Sequence, residues 1–243
     1  MLPTRLLSGF TERIKGLKYL PTINQRHYPL RGLCRDYEPY YQDEYVTIYN
    51  GDCMEILPSL TPIDCIITDP PYGIDFKYDE YKDNPKLHKD RITEWMTMFR
   101  KLSKKIALTP GILQMWDYPK PDWVLCWRKT FSVSRSLFGA NNWEPVLYYG
   151  KGGRNGRQSD FFEATFMNDK QAAQHPCPKP VKWAKWLMIT IAKKEEYVFD
   201  PFMGSGTTLL AAKQLGRKAV GIELSKKYCD IAIQRLSQTQ LDL

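Results

Sequence analysis

Apolar positions change their period along this chain, and each change marks an element. "YVTIYN" (45–50) is rich in β-branched and aromatic residues and stops at Gly51, which predicts a strand. "IDCIIT" (63–68) is a continuous apolar run, the pattern of a parallel strand covered on both faces. Ile92, Trp95, Met96, Phe99 and Leu102 follow helical spacing and predict an amphipathic helix over 90–104. "KIALTPG" (105–111) reads as a strand and turn, and "DWVLCWRK" (122–129) and "EPVLYYGK" (144–151) as further strands. "KPVKWAKWLMITIAKK" (179–194) is a predicted helix with proline in its first turn. "YVFDP" (197–201) predicts a strand, 207–216 a helix stopped by Gly216, 218–224 a strand, and 226–239 the last helix.

Strands that alternate with helices imply an α/β fold: a doubly wound, mostly parallel sheet with helices on both faces. The body of this fold spans 45–243. Residues 1–44 differ in kind. Up to Arg35 there are seven Lys and Arg against one acid, Glu12, a local +6 in a chain whose net charge is +8. Such an extension is either a solvated tail or an arm that lies on phosphates. "GKGGRNGRQSD" (150–160) is a second basic stretch, rich in glycine.

Charge favours an anionic partner, nucleic acid first. The six cysteines are scattered without zinc spacing or a compact disulfide framework, so no metal is expected and a reduced cytoplasmic compartment is. The N-terminal twenty residues are broken by charges and lack a signal-peptide core.

Two strand ends carry candidate chemistry. The run 63–68 leaves through "DPPY", Asp69, Pro70, Pro71 and Tyr72. Two consecutive prolines stiffen the backbone and remove two N–H donors, which suits a fixed claw and no continuing element. At the other end, "FDPFMGSGTT" (199–208) is a strand, a glycine-rich turn and the start of a helix. Gly204 and Gly206 allow close approach to the backbone, and the helix N-terminus with Thr207 and Thr208 suits an anionic group. Glu223 follows Gly206 by 17 residues, at the end of the next strand, where an acid commonly takes a ribose diol. No Gly-Lys-Ser/Thr is present, so the turn is not a Walker A loop.

These stretches together resemble the amino-type DNA methyltransferases that use S-adenosylmethionine, in the β arrangement, where the catalytic motif precedes the glycine motif. The resemblance spans 45–235 and rests on "GDC" (51–53), "DPPY" (69–72), "WEPVLYYGK" (143–151), "HPCPKP" (175–180) and "FMGSGTT" (202–208). It implies a Rossmann-like methyltransferase fold and methyl transfer to the N6 amine of adenine in double-stranded DNA, with the base flipped out. It further implies that Asp69 and the Pro70 carbonyl accept the amine N–H groups, that Pro71 helps fix them and that Tyr72 stacks on the base. The cofactor would meet Asp69, Asp200, Phe202, Met203, Gly204, Gly206, Thr207 and Thr208. Lys179 would reach its carboxylate, Glu223 its ribose, and Asp52 and Cys53 its adenine, and Leu224 would also meet the cofactor. Trp143, Tyr148 and Tyr149 would furnish the base pocket, and a prokaryotic or phage restriction-modification setting is implied.

Only 152–174 separates the pocket strand from "HPCPKP", where relatives insert a larger recognition segment. The expectation is relaxed specificity, or help from the basic arm or a second subunit in a homodimer. The rival readings are transfer to the N4 amine of cytosine, transfer to RNA adenine, and a non-catalytic nucleic-acid-binding protein on the same fold.

Overall fold

The structure, a computed structural model, describes residues 34–78, 80–129, 135–151, 158–164 and 179–238. Nine strands form one sheet: β1 (Tyr41–Gln42), β2 (Val46–Asn50), β3 (Cys65–Thr68), β4 (Ile106–Leu108), β5 (Trp123–Arg128), β8 (Trp143–Tyr149), β9 (Phe161–Glu163), β10 (Val198–Asp200) and β11 (Ala219–Glu223). A separate hairpin pairs β6 (Arg135–Ser136) with β7 (Gly139–Ala140). The order across the sheet is β1-β2-β11-β10-β3-β4-β8-β5-β9. The centre, β2-β11-β10-β3-β4, is parallel throughout, while β8 runs antiparallel to both its neighbours.

Alternation along the central strands sends side chains to two cores. Val46, Ile48, Cys65, Ile67, Val198 and Ala219 face α3 (Val181–Ile191), α4 (Thr207–Gln214) and α5 (Lys226–Ser237). Tyr49, Ile66, Phe199, Val220 and Ile222 face α1 (Cys53–Ile56) and α2 (His88–Leu102). Period two in a strand covered on both faces explains why these runs read as uninterrupted apolar stretches. Helix α2 buries Ile92, Trp95, Met96, Phe99 and Leu102, the residues whose spacing predicts it. Gly216 ends α4 in the left-handed region, at φ 61°.

The boundary expected at residue 44 moves toward the N-terminus. Cys34 is buried in the α2-side core, and Tyr41 and Gln42 pair with Ile48 and Thr47. The Tyr40 hydroxyl donates to Asp230 at 2.6 Å, and Lys213 donates to Asp43 at 2.7 Å. Aromatic packing and these long-range bonds join 34–44 to the domain. The rest of the basic extension, residues 1–33, lies outside the described residues.

Topology fixes the site. The chain leaves β10 through α4 to β11 on one side, and leaves β3 through α2 to β4 on the other. The carboxyl ends of β10 and β3 are therefore the switch point of the sheet, where a doubly wound fold opens a crevice for ligands. No helix among the described residues is long and apolar enough to cross a membrane.

Candidate active site

Asp200 ends β10 and Asp69 follows the end of β3, so neighbouring strands deliver two carboxylates to one crevice. The Thr68 hydroxyl spans the gap and donates to Asp200 Oδ1 at 2.7 Å. A cavity of about 1190 Å³, mouth included, runs from Asp69 past Asp200 and the glycine turn to Glu223. That is room for a nucleoside-sized ligand. Twelve of the thirteen expected cofactor residues line it: Asp52, Cys53, Asp69, Lys179, Asp200, Phe202, Met203, Gly204, Thr207, Thr208, Glu223 and Leu224. Gly206 stands behind the wall instead. Its φ is 78°, and a Cβ there would meet Ala232 Cβ at 2.7 Å, so it serves the close packing of α4 on α5.

The glycine turn differs from the anion cradle expected of it. The Gly204 N–H donates to Glu223 Oε2 at 2.9 Å, and the Ser225 N–H donates to Oε1 at 2.8 Å. Arg235, buried on α5, donates to the Ser205 carbonyl and to Thr207 Oγ1 at 3.3 Å. Thr208 is engaged with Asp200. The protein thus fills its own turn with a carboxylate, and what faces the cavity is acidic. Burial pushes Asp200 up to about 6, against hydrogen bonds from Thr208, Thr68 and the Phe202 N–H that lower it. Burial likewise pushes Glu223 up to about 7, against the N–H groups of Ser225 and Gly204. Such a wall fits a ligand that brings hydroxyl donors or positive charge. Ser225 Oγ is buried at this wall without a hydrogen-bond partner among the described residues, as is Trp183 Nε1, whose residue also lines the cavity.

At the Asp69 end the electrostatics reverse. Lys179 Nζ lies 2.8 Å from Asp69 Oδ2 and 3.4 Å from Glu144 Oε2, and donates to the Tyr72 hydroxyl at 3.0 Å. Tyr72 donates to Asp69 Oδ1 at 2.8 Å, and the Thr109 hydroxyl donates to the same oxygen. Glu144 Oε1 accepts from Lys129 Nζ at 2.9 Å. Burial alone would lower Lys179, yet Asp69 and Glu144 hold it well above the usual lysine range. Burial alone would raise Glu144, yet Lys179 and Lys129 hold it below the usual carboxylate range. Lys179, expected at the cofactor carboxylate, therefore sits on Asp69, within reach of the cavity. Tyr72 is tied by its hydroxyl into the same network.

Several residues depart from expectation. Tyr148 and Tyr149 are buried in opposite cores, and the Tyr149 hydroxyl donates to the Pro119 carbonyl at 2.8 Å. Neither lines the cavity, because alternation on β8 sends one to each face of the sheet. Trp143 is exposed at the start of β8. Asp52 caps α1 by accepting the Met54 N–H at 2.8 Å, and the Cys53 thiol is buried, which pushes it up. His175 and most of the segment 152–174 lie outside the described residues, which include only 158–164 of that segment.

Sequence reading missed one wall of the cavity. Asp83 is buried and accepts the N–H groups of Gly73, Ile74 and Phe76 at 2.7, 2.9 and 3.2 Å. This carboxylate winds the polar stretch after "DPPY" into a compact loop that brings Tyr78, Glu80 and Tyr81 to the cavity. Arg91 joins them from α2. The signal was an acid amid turn-forming residues, which does not reveal its partners.

Comparison with known proteins places this geometry. A family model for N6 and N4 methylases, described as a DNA methylase, matches residues 120–234. The type II methyltransferase M2.LlaDCHI of Lactococcus lactis subsp. cremoris is 25% identical over 255 residues, covering 83% of this chain and 93% of its own. Among solved structures, M1.HpyAVI in complex with S-adenosylmethionine superposes with a TM-score of 0.62 at 22% identity. That match covers 79% of this chain and 98% of the other. The cytosine-N4-specific PvuII DNA methyltransferase superposes with a TM-score of 0.64 at 16% identity, over 85% and 98% of the two chains. The likeness to both structures is one of fold, a Rossmann-like sheet.

Proposed function

We propose that the chain is an amino-type DNA methyltransferase of the N6/N4 kind and that it methylates the N6 amine of adenine in duplex DNA, using S-adenosylmethionine. The observation that carries this reading is a single cavity lined by Asp69 at one end and by Asp200, the glycine turn and Glu223 at the other. An amine held by Asp69 would face a ligand held by Glu223 across that cavity.

The acidic wall fits S-adenosylmethionine, whose ribose offers a diol and whose sulfonium and ammonium are positive. Glu223 would take the diol. Arg91 is a cation on the cavity wall available to its carboxylate, since Lys179 is held by Asp69 and Glu144. When bound, the cofactor supplies an electrophilic methyl group. The chain's own part is positioning. The exocyclic amine of adenine is a poor nucleophile because its lone pair is delocalised into the ring. Asp69 accepts one N–H and the Pro70 carbonyl the other, which favours a pyramidal nitrogen, and Pro70 and Pro71 keep both acceptors in place. The new N–C bond forms as the S–C bond breaks, and the amine sheds one proton toward Asp69. The target amine is inaccessible within a duplex, so the base must leave the stack.

Adenine is preferred over cytosine because the motif begins with Asp69, where cytosine enzymes of this kind more often carry serine. The N4 reading is supported by the fold shared with a cytosine-N4 enzyme. Both are tested by incubating the protein with labelled cofactor and unmethylated plasmid DNA, then digesting to nucleosides. Label in N6-methyladenine is expected. Label in N4-methylcytosine would correct the base, and an unlabelled digest would overturn the reading.

A further inference from the structure

The buried pair Lys129–Glu144 lies beyond the residues that the methylation reading uses, yet it touches them. Lys129 is 2% exposed, which is rare for a lysine, and its position is set by the sheet. Trp127 on β5 pairs with Glu144 on β8, and the Lys129 N–H donates to the Asn142 carbonyl at 2.7 Å. Strand register therefore builds the pair before any ligand arrives. The Lys129 and Lys179 ammonium groups each lie 5.9 Å from the centroid of the Trp127 ring.

The catalytic carboxylate has a problem that this pair solves. Asp69 already accepts from Tyr72 and Thr109 on Oδ1 and from Lys179 on Oδ2. The neutral N–H of a base amine is a weaker donor than an ammonium and would not displace Lys179 unaided. A buried ammonium leaves one carboxylate only for another. Glu144 Oε2 is that second carboxylate, 3.4 Å from Lys179 Nζ, while Lys129 holds its other oxygen.

We propose that Glu144, oriented by Lys129, is a positioning residue that takes Lys179 from Asp69 when the target amine arrives. The proposal rests on the methylation reading for the identity of the amine. It makes Lys179 a gate: with the base absent it neutralises Asp69, and with the base present it is retained by Glu144. Glu144 acts through Lys179 and touches neither substrate.

The test is a double-mutant cycle of Glu144→Gln and Lys179→Met. It is read on single-turnover methyl transfer and on affinity for a duplex carrying the site mapped by sequencing methylated DNA. The affinity arm uses the non-reactive cofactor analogue sinefungin, so it stays measurable in a variant without turnover. In the otherwise wild-type protein, Glu144→Gln should slow transfer and weaken duplex binding at least tenfold, because Lys179 then stays on Asp69. In the Lys179→Met background the same substitution should change either quantity less than twofold. Equal factors in both backgrounds, or no effect in the first, would overturn the gate and leave Glu144 a packing residue. Should Glu144→Gln fail to fold, Lys129→Met combined with Glu144→Gln leaves no unpaired buried charge and enters the same cycle. Failure of the methylation reading would show separately, as a wild-type protein that transfers no methyl group to DNA.

Discussion

The two ends of the cleft solve opposite electrostatic problems. At the β10–β11 end, Asp200 and Glu223 are pushed up to about 6 and about 7, and among the described residues neither forms an ion pair. Their hydrogen bonds come from neutral groups of the chain. At the β3–β8 end, Asp69, Lys179, Glu144 and Lys129 alternate in sign and satisfy one another. The first end is incomplete until a ligand supplies donors or positive charge. The second is complete until a ligand displaces part of it. One cavity thus combines a waiting subsite with a self-occupied one.

The largest expected effect lies at the self-occupied end. Replacing Asp69 with Ala should lower single-turnover transfer by about 10²–10³-fold or more, the scale of losing a preorganised transition-state partner. Cofactor affinity, measured by calorimetry, should stay within a few-fold. Transfer at the wild-type rate would remove Asp69 from the chemistry and with it the contrast between the ends.

A smaller effect is expected at the waiting end. Glu223→Ala should weaken cofactor binding by about one to two orders of magnitude, from loss of charge-assisted hydrogen bonds worth about 1.5–3 kcal/mol. Transfer at saturating cofactor should recover much of its rate, since Glu223 holds the ligand and leaves the amine to Asp69. An unchanged dissociation constant would sink the assignment.

The smallest effect concerns the free protein. Glu223 binds its proton more tightly in the fold than in the unfolded chain, so the stability it contributes is lost as pH rises through about 7. The melting temperature of the ligand-free protein should therefore increase as pH falls from 8 to 6.5. His88 works in the other direction, because burial lowers it below the unfolded value of 6.5, and Asp200, pushed up to about 6, works in the same direction as Glu223. Both remain in Glu223→Gln, so the loss of slope between pH 8 and 6.5 in that variant is the part Glu223 carries. An equal slope in the variant would show that Glu223 does not carry the pH dependence.

Much of this contrast was legible in the sequence at the waiting end and little at the other. The glycine turn and Glu223 belong to one strand–helix–strand unit, so local pattern sufficed to find them. "DPPY" was equally legible, because two prolines after an apolar run can only end a strand. The partners of Asp69 were not. Lys129, Glu144 and Lys179 come from the residue after β5, from β8 and from the entry to α3, and only the register of an antiparallel pair brings the first two together. Read along the chain, Lys129 is an ordinary charge at a strand end. Tyr148 and Tyr149 misled for a related reason: two adjacent aromatics on a strand covered on both faces must point to opposite cores. The short elements β1, β9 and the β6–β7 hairpin carry two or three residues each, too few for a period.

The central claim, that the carboxylate end is completed by the cofactor, is tested most directly by the protons exchanged on binding. Calorimetric titration of S-adenosylmethionine at pH 6.5, in buffers of different ionisation enthalpy, counts them. Burial pushes Glu223 up to about 7, and a ligand that donates to its carboxylate favours the ionised form. The account predicts net proton release on binding, abolished by Glu223→Gln. Proton uptake, or release that persists unchanged in that variant, would contradict it.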